Sequence, residues 1–233
     1  MASRGLQDEH GTVWHHTTTR DEGDFSIDAE PTGLAARRRA VVDLPWVWLR
    51  QVHGADLVVV TSGNASDLRG TEADALVTAE PNLVLAVQTA DCVPVELHGT
   101  NGVVGLAHAG WRSIEAGVIE RTVEAMAALG SYPAVTTIGP HIGPECYEFG
   151  ATDLDRLAAR FGDGVRSTTS DGRASLDLVR MVRAALHRAG AGAEPQTSDP
   201  WPANCTACHA DRWFSHRARG ETERMATVVW REP

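Results

Sequence analysis

The 233-residue chain is 42% hydrophobic and 22% charged, an ordinary balance for a soluble globular protein with room for one large domain or two. Its formal charge of −10 argues against a nucleic-acid partner, which needs a basic face, but leaves a single nucleoside or nucleotide open as a substrate. No run reaches the roughly eighteen apolar residues of a membrane span, and the first ten residues carry no apolar signal core. The expectation is a cytoplasmic protein whose four cysteines are thiols, ligands or core residues rather than disulfides.

The first 30 residues, polar and glycine-rich in places, predict peripheral strands and loops. Leu57–Val60, Leu83–Val87 and Val103–Ala107 are short continuous apolar runs, the pattern of buried strands. Ser113–Leu129 places Ile114, Val118, Ile119, Val123 and Met126 at helical spacing, with Glu115 suited to the first turn. Ala134–Ile138 predicts a strand that ends in the turn Gly139-Pro140. A helix is expected over Asp153–Phe161. Another starts near Ser175 as N-cap, with Val179, Val182, Leu186 and Ala189 on its apolar face and Gly190 as its stop. Met225–Trp230 predicts a last strand. The elements do not alternate regularly, which favours α+β: a single domain of mixed β-sheets flanked by helices.

Three short strings carry the chemistry: Gln51-Val52-His53-Gly54, Thr89-Ala90-Asp91-Cys92-Val93-Pro94 and His108-Ala109-Gly110-Trp111-Arg112. Each sets one soft-metal ligand at or just beyond the end of an apolar run. Two imidazoles and a thiolate suit one zinc ion with its fourth position open. Taken singly, a cysteine in an apolar stretch reads as a buried small hydrophobe; the three strings together point to His53, Cys92 and His108 as a metal site. Asp91, next to Cys92, would serve there as a general base or as an orienter of a ligand, or would simply bond strand-end backbone. Arg112, at the entry to a helix, suits an anion through its guanidinium fork and the helix N-terminus, or forms a surface ion pair. Gln51 and Gln88 would read a polar ligand or satisfy backbone.

Gly139–Glu148 reads as a shaped loop in which Cys146 is a second thiol near the site or is packed. Cys205-Thr206-Ala207-Cys208-His209 matches the haem c attachment string, but without an export signal no haem is expected, and no second C-x-x-C completes a zinc ribbon.

The order Q-V-H-G, A-D-A-L-V-T (73–78), T-A-D-C-V-P-V, H-A-G-W-R, I-G-P-x-I-G-P-x-C-Y-E (138–148) and a C-terminal C-T…F-S-H-R…R-M-A resembles the YfiH-like family. Its members have been called laccase-domain or polyphenol oxidase proteins, purine nucleoside phosphorylases and peptidoglycan editing factors. The resemblance runs from about residue 46 to the end, leaving 1–45 as the divergent part of one domain over 1–233. It implies an α+β fold and a His-Cys-His metal site at His53, Cys92 and His108. The family's Asn-Arg pair is Ala36-Arg37 here, its Cys-Cys-Tyr is Glu145-Cys146-Tyr147 and its terminal Thr-Gly-Arg is Thr222-Glu223-Arg224, departures that fall on the rim of the expected pocket.

The implied activity is zinc-dependent phosphorolysis of purine nucleosides (adenosine, inosine, methylthioadenosine), together with deamination of adenosine. Nucleoside and phosphate are the implied small-molecule partners. Arg112 is the first candidate for phosphate and Arg37 a further one. A copper-dependent phenol oxidase and a peptidoglycan-precursor hydrolase with Cys92 as nucleophile are the alternatives.

Overall fold

A computed structural model of the chain describes residues 4–191, 196–197 and 204–233. The early elements are β1 (Arg4–Asp8), β2 (Gly11–Thr17), α1 (Pro31–Val41), β3 (Trp46–Trp48), β4 (Leu57–Val59), β5 (Ala75–Thr78), β6 (Val84–Thr89), β7 (Val93–Gly99) and β8 (Val104–Ala109). There follow α2 (Trp111–Ala116), α3 (Val118–Ala128), β9 (Pro133–Ile138), α4 (Ala151–Phe161), β10 (Arg166–Thr168), β11 (Ala174–Leu176) and α5 (Leu178–Arg188). The chain closes with β12 (Gln196–Thr197), α6 (His216–Arg219) and β13 (Met225–Glu232).

The architecture is α+β with two mixed sheets, ordered β1-β2-β13-β6-β3 and β12-β9-β7-β8-β5-β4, and a separate β10-β11 hairpin. Side chains alternate faces along a strand, and that alternation assigns each residue to a layer. In β6, Val84 and Ala86 face a cluster with Phe25 and with Leu34 of α1. Leu85 and Val87 face the other way, into the layer between the sheets, where Leu76 of β5, Val104 and Leu106 of β8 and Val229 of β13 meet them. Beyond the six-stranded sheet, Val95, Leu97 and Ala107 pack under Ile114, Ile119, Met126, Leu157 and Met181 from the helices. The order is helix, sheet, sheet, helices. Strands covered on both faces read as unbroken apolar runs, and every residue of β6, β7 and β8 is buried.

Three expectations need correction, and one element was missed. The single helix over Ser113–Leu129 is two helices. Gly117, in the left-handed region at φ 99°, ends α2, and its N–H bonds to the carbonyls of Ser113 and Ile114. Ser175 lies in β11, and α5 is capped by Asp177, whose carboxylate accepts from the Arg180 N–H at 3.0 Å. The buried face of α5 is Leu178, Met181, Val182, Ala185 and Leu186; it includes Val182 and Leu186 of the expected stripe, while Val179 and Ala189 are only partly buried at its edge. Helix α1 was not anticipated. It starts with Pro31 behind a Glu30 cap that accepts from Thr32 and Gly33, but its arginine-rich sequence buries only Leu34 and Arg38 and so shows little apolar period.

Candidate metal centre and pocket

His108 ends β8. Two residues before it Leu106 points into the layer between the sheets, and the period of two sets the imidazole at the end of that same layer. Cys92 lies in the short link between β6 and β7, and His53 in the loop that follows β3. Their ligating atoms all fall within 4.8 Å of one another. Cys92 Sγ and His53 Nε2 are 3.7 Å apart, and the two imidazoles meet edge to face at 4.8 Å between centroids. Tetrahedral zinc, with Zn–S near 2.3 Å and Zn–N near 2.0–2.1 Å, sets sulfur and nitrogen about 3.6 Å apart. The donor set and its spacing therefore fit zinc. Gly110 makes the approach possible, since a Cβ there would stand 2.8 Å from His53 Cδ2 and 3.1 Å from Cys92 Sγ.

Asp74 organises this centre. Its carboxylate is fully buried and accepts from the backbone N–H groups of Val52 (3.2 Å), His53 (3.0 Å) and Gly54 (2.7 Å). The same group bonds His108 Nδ1 at 2.8 Å. One side chain thus shapes the loop carrying His53, which adopts φ 58°, and fixes His108 so that Nε2 is the nitrogen left for a ligand. Burial alone would raise the Asp74 pKa; the hydrogen bond and charge of His108, with the Gly54 and Val52 N–H groups, outweigh it and hold the carboxyl below its usual value. Burial likewise opposes ionisation of Cys92, yet the charge and hydrogen bonds of His108 and His53 bring the thiol down to about 6. His108 moves the other way, to about 9, because Cys92 and Asp74 outweigh its burial. Both shifts favour the thiolate form of Cys92 and the imidazolium form of His108. Asp74 stands in the A-D-A-L-V-T string but carried no role in the sequence expectations; a lone acid before a strand gives no local sign of the loop it will hold.

The trio opens into a cavity of about 610 Å³, within the range of small-ligand sites. Gln51, Gln88, Asp91, Cys92 and Arg112 line it with His53 and His108, as do Trp111, Tyr147, Arg50, Arg217 and Arg224. Arg37 is outside that lining: its side chain lies along Gly23 and Gly33, with the guanidinium 6.0 Å from the Phe25 ring. Gln51 is turned to backbone, its amide donating to the Gln88 carbonyl and accepting from the Gln88 N–H, both at 2.7 Å. Arg112 is exposed and stacks 4.2 Å over Trp111. Helix α2 has six residues, too few for the strong N-terminal dipole expected beneath it, so any anion binding there falls to side chains.

Asp91 is 7% exposed, and its carboxylate is occupied. Oδ1 accepts from Thr206 Oγ1 and Ser215 Oγ, each at 2.6 Å, and Oδ2 from the Arg217 N–H at 2.6 Å. With three donors on its two oxygens, the side chain is built to hold segments together. These bonds hold Asp91 at φ 106° and tie the C-terminal F-S-H-R string to the link that carries Cys92. Tyr147 walls the same pocket beneath the Arg217 guanidinium at 4.5 Å, and burial pushes its phenol up to about 12. Thr206, Ser215, Arg217 and Tyr147 all sit in strings that carried the resemblance, but none had been given a role.

The sequence and the fold both recur in known proteins. Residues 17–232 match the model of the family described as multi-copper polyphenol oxidoreductase laccase. A purine nucleoside phosphorylase of Streptomyces coelicolor is 40% identical over 213 residues, 90% of this chain and 84% of that protein. One from Streptomyces griseus is 39% identical over 199 residues, 84% of this chain and 78% of that one. Among solved structures, the hypothetical protein YfiH of Bacillus licheniformis superposes with a TM-score of 0.83 at 28% identity, covering 99% of each chain. YlmD from Geobacillus stearothermophilus gives 0.79 at 27% identity over the whole of both chains. Among the described residues, no helix is long and apolar enough to cross a membrane.

Proposed function

We propose that this chain, which belongs to the multi-copper polyphenol oxidoreductase laccase family (the YfiH-like family), is a zinc-dependent purine nucleoside phosphorylase that also deaminates adenosine. The observation that carries the reading is a His-Cys-His donor set at the wall of a nucleoside-sized pocket lined with arginines. The relatives named purine nucleoside phosphorylase support its first half. Zinc, held by His53, Cys92 and His108, would supply Lewis acidity, including a lowered pKa for water. Asp74 presents His108 in one tautomer. Trp111 and Tyr147 offer aromatic faces against which a purine can lie, and Gln88 offers an amide for its polar edge. Phosphate falls to Arg112, with Arg217 and Arg50 on the same wall. Asp91 keeps the Cys92 link and the Arg217 segment in register.

The copper-oxidase reading rests on the family description, and several copper centres would need many imidazoles. Among the described residues, the metal-ligating clusters supply two, both in this trio. The second reading, Cys92 as the nucleophile of a precursor-editing hydrolase, is favoured by one observation: the metal-free thiol is already lowered by His108. Incubation of the zinc-loaded protein with inosine or adenosine, with and without phosphate, separates these. The proposal expects free base only when phosphate is present, and inosine from adenosine without it. Neither product from the zinc-loaded protein would overturn it.

A further inference from the structure

We propose a second metal site, a structural zinc held by Glu145, Cys146, Cys205 and Cys208, which staples the 139–148 loop to the segment that follows residue 203. The four donors lie within 4.8 Å of one another, apart from the His-Cys-His trio. Cys146 Sγ and Cys208 Sγ are 3.4 Å apart, Cys208 Sγ and Glu145 Oε1 3.5 Å, and Cys146 Sγ and Glu145 Oε1 3.9 Å. Tetrahedral zinc sets two thiolates about 3.8 Å apart and a thiolate and a carboxylate oxygen about 3.5 Å apart. The observed cluster already approximates that shape, although two of its donors are separated from the others by some sixty residues of chain.

Two further observations point to a cation. Glu145 Oε2 is buried with no hydrogen-bond partner among the described residues, an arrangement that costs free energy unless something positive neutralises the group. The Gly143 N–H is aimed at Cys205 Sγ at 3.3 Å, a donor that favours the thiolate. A three-thiolate set with one oxygen matches zinc among the common ions, and Cys208 at the surface gives it a route in. The step is an exchange: one Zn²⁺ enters, the thiol protons leave to water, and no oxidant takes part. The haem-like string thus supplies two of four ligands, with Glu145-Cys146 in place of the missing second pair.

The placement gives the ion a purpose. The two segments are already joined by the His141–Cys205 bridge, with Thr206 N–H on the His141 carbonyl at 2.9 Å and His141 N–H on that of Asn204 at 3.0 Å. Cys146 precedes Tyr147 of the pocket wall, and Cys205 precedes Thr206, which holds Asp91. A cross-link here fixes that wall without touching substrate.

The test uses the full-length protein purified under reducing conditions, with metals quantified by elemental mass spectrometry. The Cys92→Ala variant isolates the second site, and its zinc should persist through gel filtration. Adding Cys208→Ser, an exposed position that leaves the core intact, should remove that zinc, and Cys146→Ser should do the same. Cobalt loaded into Cys92→Ala should show tetrahedral ligand-field bands with strong thiolate-to-cobalt charge transfer, lost again with Cys208→Ser. A zinc-supplemented Cys92→Ala protein that holds no metal, zinc retained after Cys208→Ser, iron or copper in its place, or a mass lighter by two hydrogens from a Cys146–Cys208 disulfide would each overturn the site. None of these readouts depends on the reaction at the pocket.

Discussion

The trio His53, Cys92 and His108 and the cluster Glu145, Cys146, Cys205 and Cys208 gather their donors within the same 4.8 Å, yet they are built in opposite ways. The trio sets one sulfur between two imidazoles, on a strand end, a tight link and a loop braced by Asp74. The cluster sets three sulfurs beside a carboxylate on loops. Neighbouring charge then sets Cys92 apart from the other three thiols, whose state follows their burial. Imidazolium brings Cys92 down to about 6 against the effect of burial. Around Cys146 and Cys208 burial and an acidic neighbour push the thiols up to about 11, and burial takes Cys205 to about 12. Similar spacing therefore goes with a thiol lowered toward ionisation in one place and thiols raised toward their protonated form in the other.

The contrast is broken most severely at the trio. Cys92→Ala should lose the pocket zinc and reduce phosphorolysis and deamination by more than about 100-fold, while the fold persists. Elemental analysis beside both assays checks it, and unchanged pocket zinc would remove Cys92 from the ligand set. Asp74→Ala comes next. It strips an acceptor from three backbone N–H groups and from His108, so about 3 kcal/mol of stability should go, with zinc affinity down about 10- to 100-fold. Denaturant melts and competitive chelation measure the two losses, and an intact zinc affinity would confine Asp74 to folding.

Thiol titration sharpens the comparison directly. In metal-stripped protein, alkylation near pH 7.5 should modify Cys92 well before Cys146 or Cys208. Because the thiolate is the nucleophile, the Cys92 rate should be flat above neutrality and fall as pH drops through about 6. Peptide mapping by mass spectrometry reads each site; equal rates at all three would mean that the histidines do not set the difference. The smallest effect is expected at the rim. Arg112→Ala should lower kcat/KM for phosphate about 10-fold and leave adenosine deamination nearly unchanged, and Arg112→Lys should recover only part, because an ammonium lacks the guanidinium fork. Equal losses in both reactions would make Arg112 a general support of the pocket.

The sequence alone reaches the α+β class of mixed sheets flanked by helices, since the apolar runs Leu83–Val87 and Val103–Ala107 mark β6 and β8, strands that layers cover on both faces. It also reaches the trio, because two imidazoles and a thiol at successive strand ends are an uncommon and chemically specific set. It does not reach the break at Gly117, which within a helical period resembles any tolerated glycine until φ is known. Nor does it reach the company that each residue keeps. Asp74 and Asp91 look alike as isolated acids beside strands. One holds the loop that carries His53 and the His108 imidazole, and the other is saturated by donors more than a hundred positions away.

What the residues by themselves determined, then, is the periodicity of burial and the chemical identity of the donors, both properties of local sequence. What only the tertiary structure decided is which donors meet. It placed β13 between β2 and β6 and closed the C-terminal segment over Asp91. It also carried Cys208 to Cys146 and left Arg37 outside the pocket. Such meetings depend on long-range packing, and no spacing along the chain records them, because the separations they bridge carry no period.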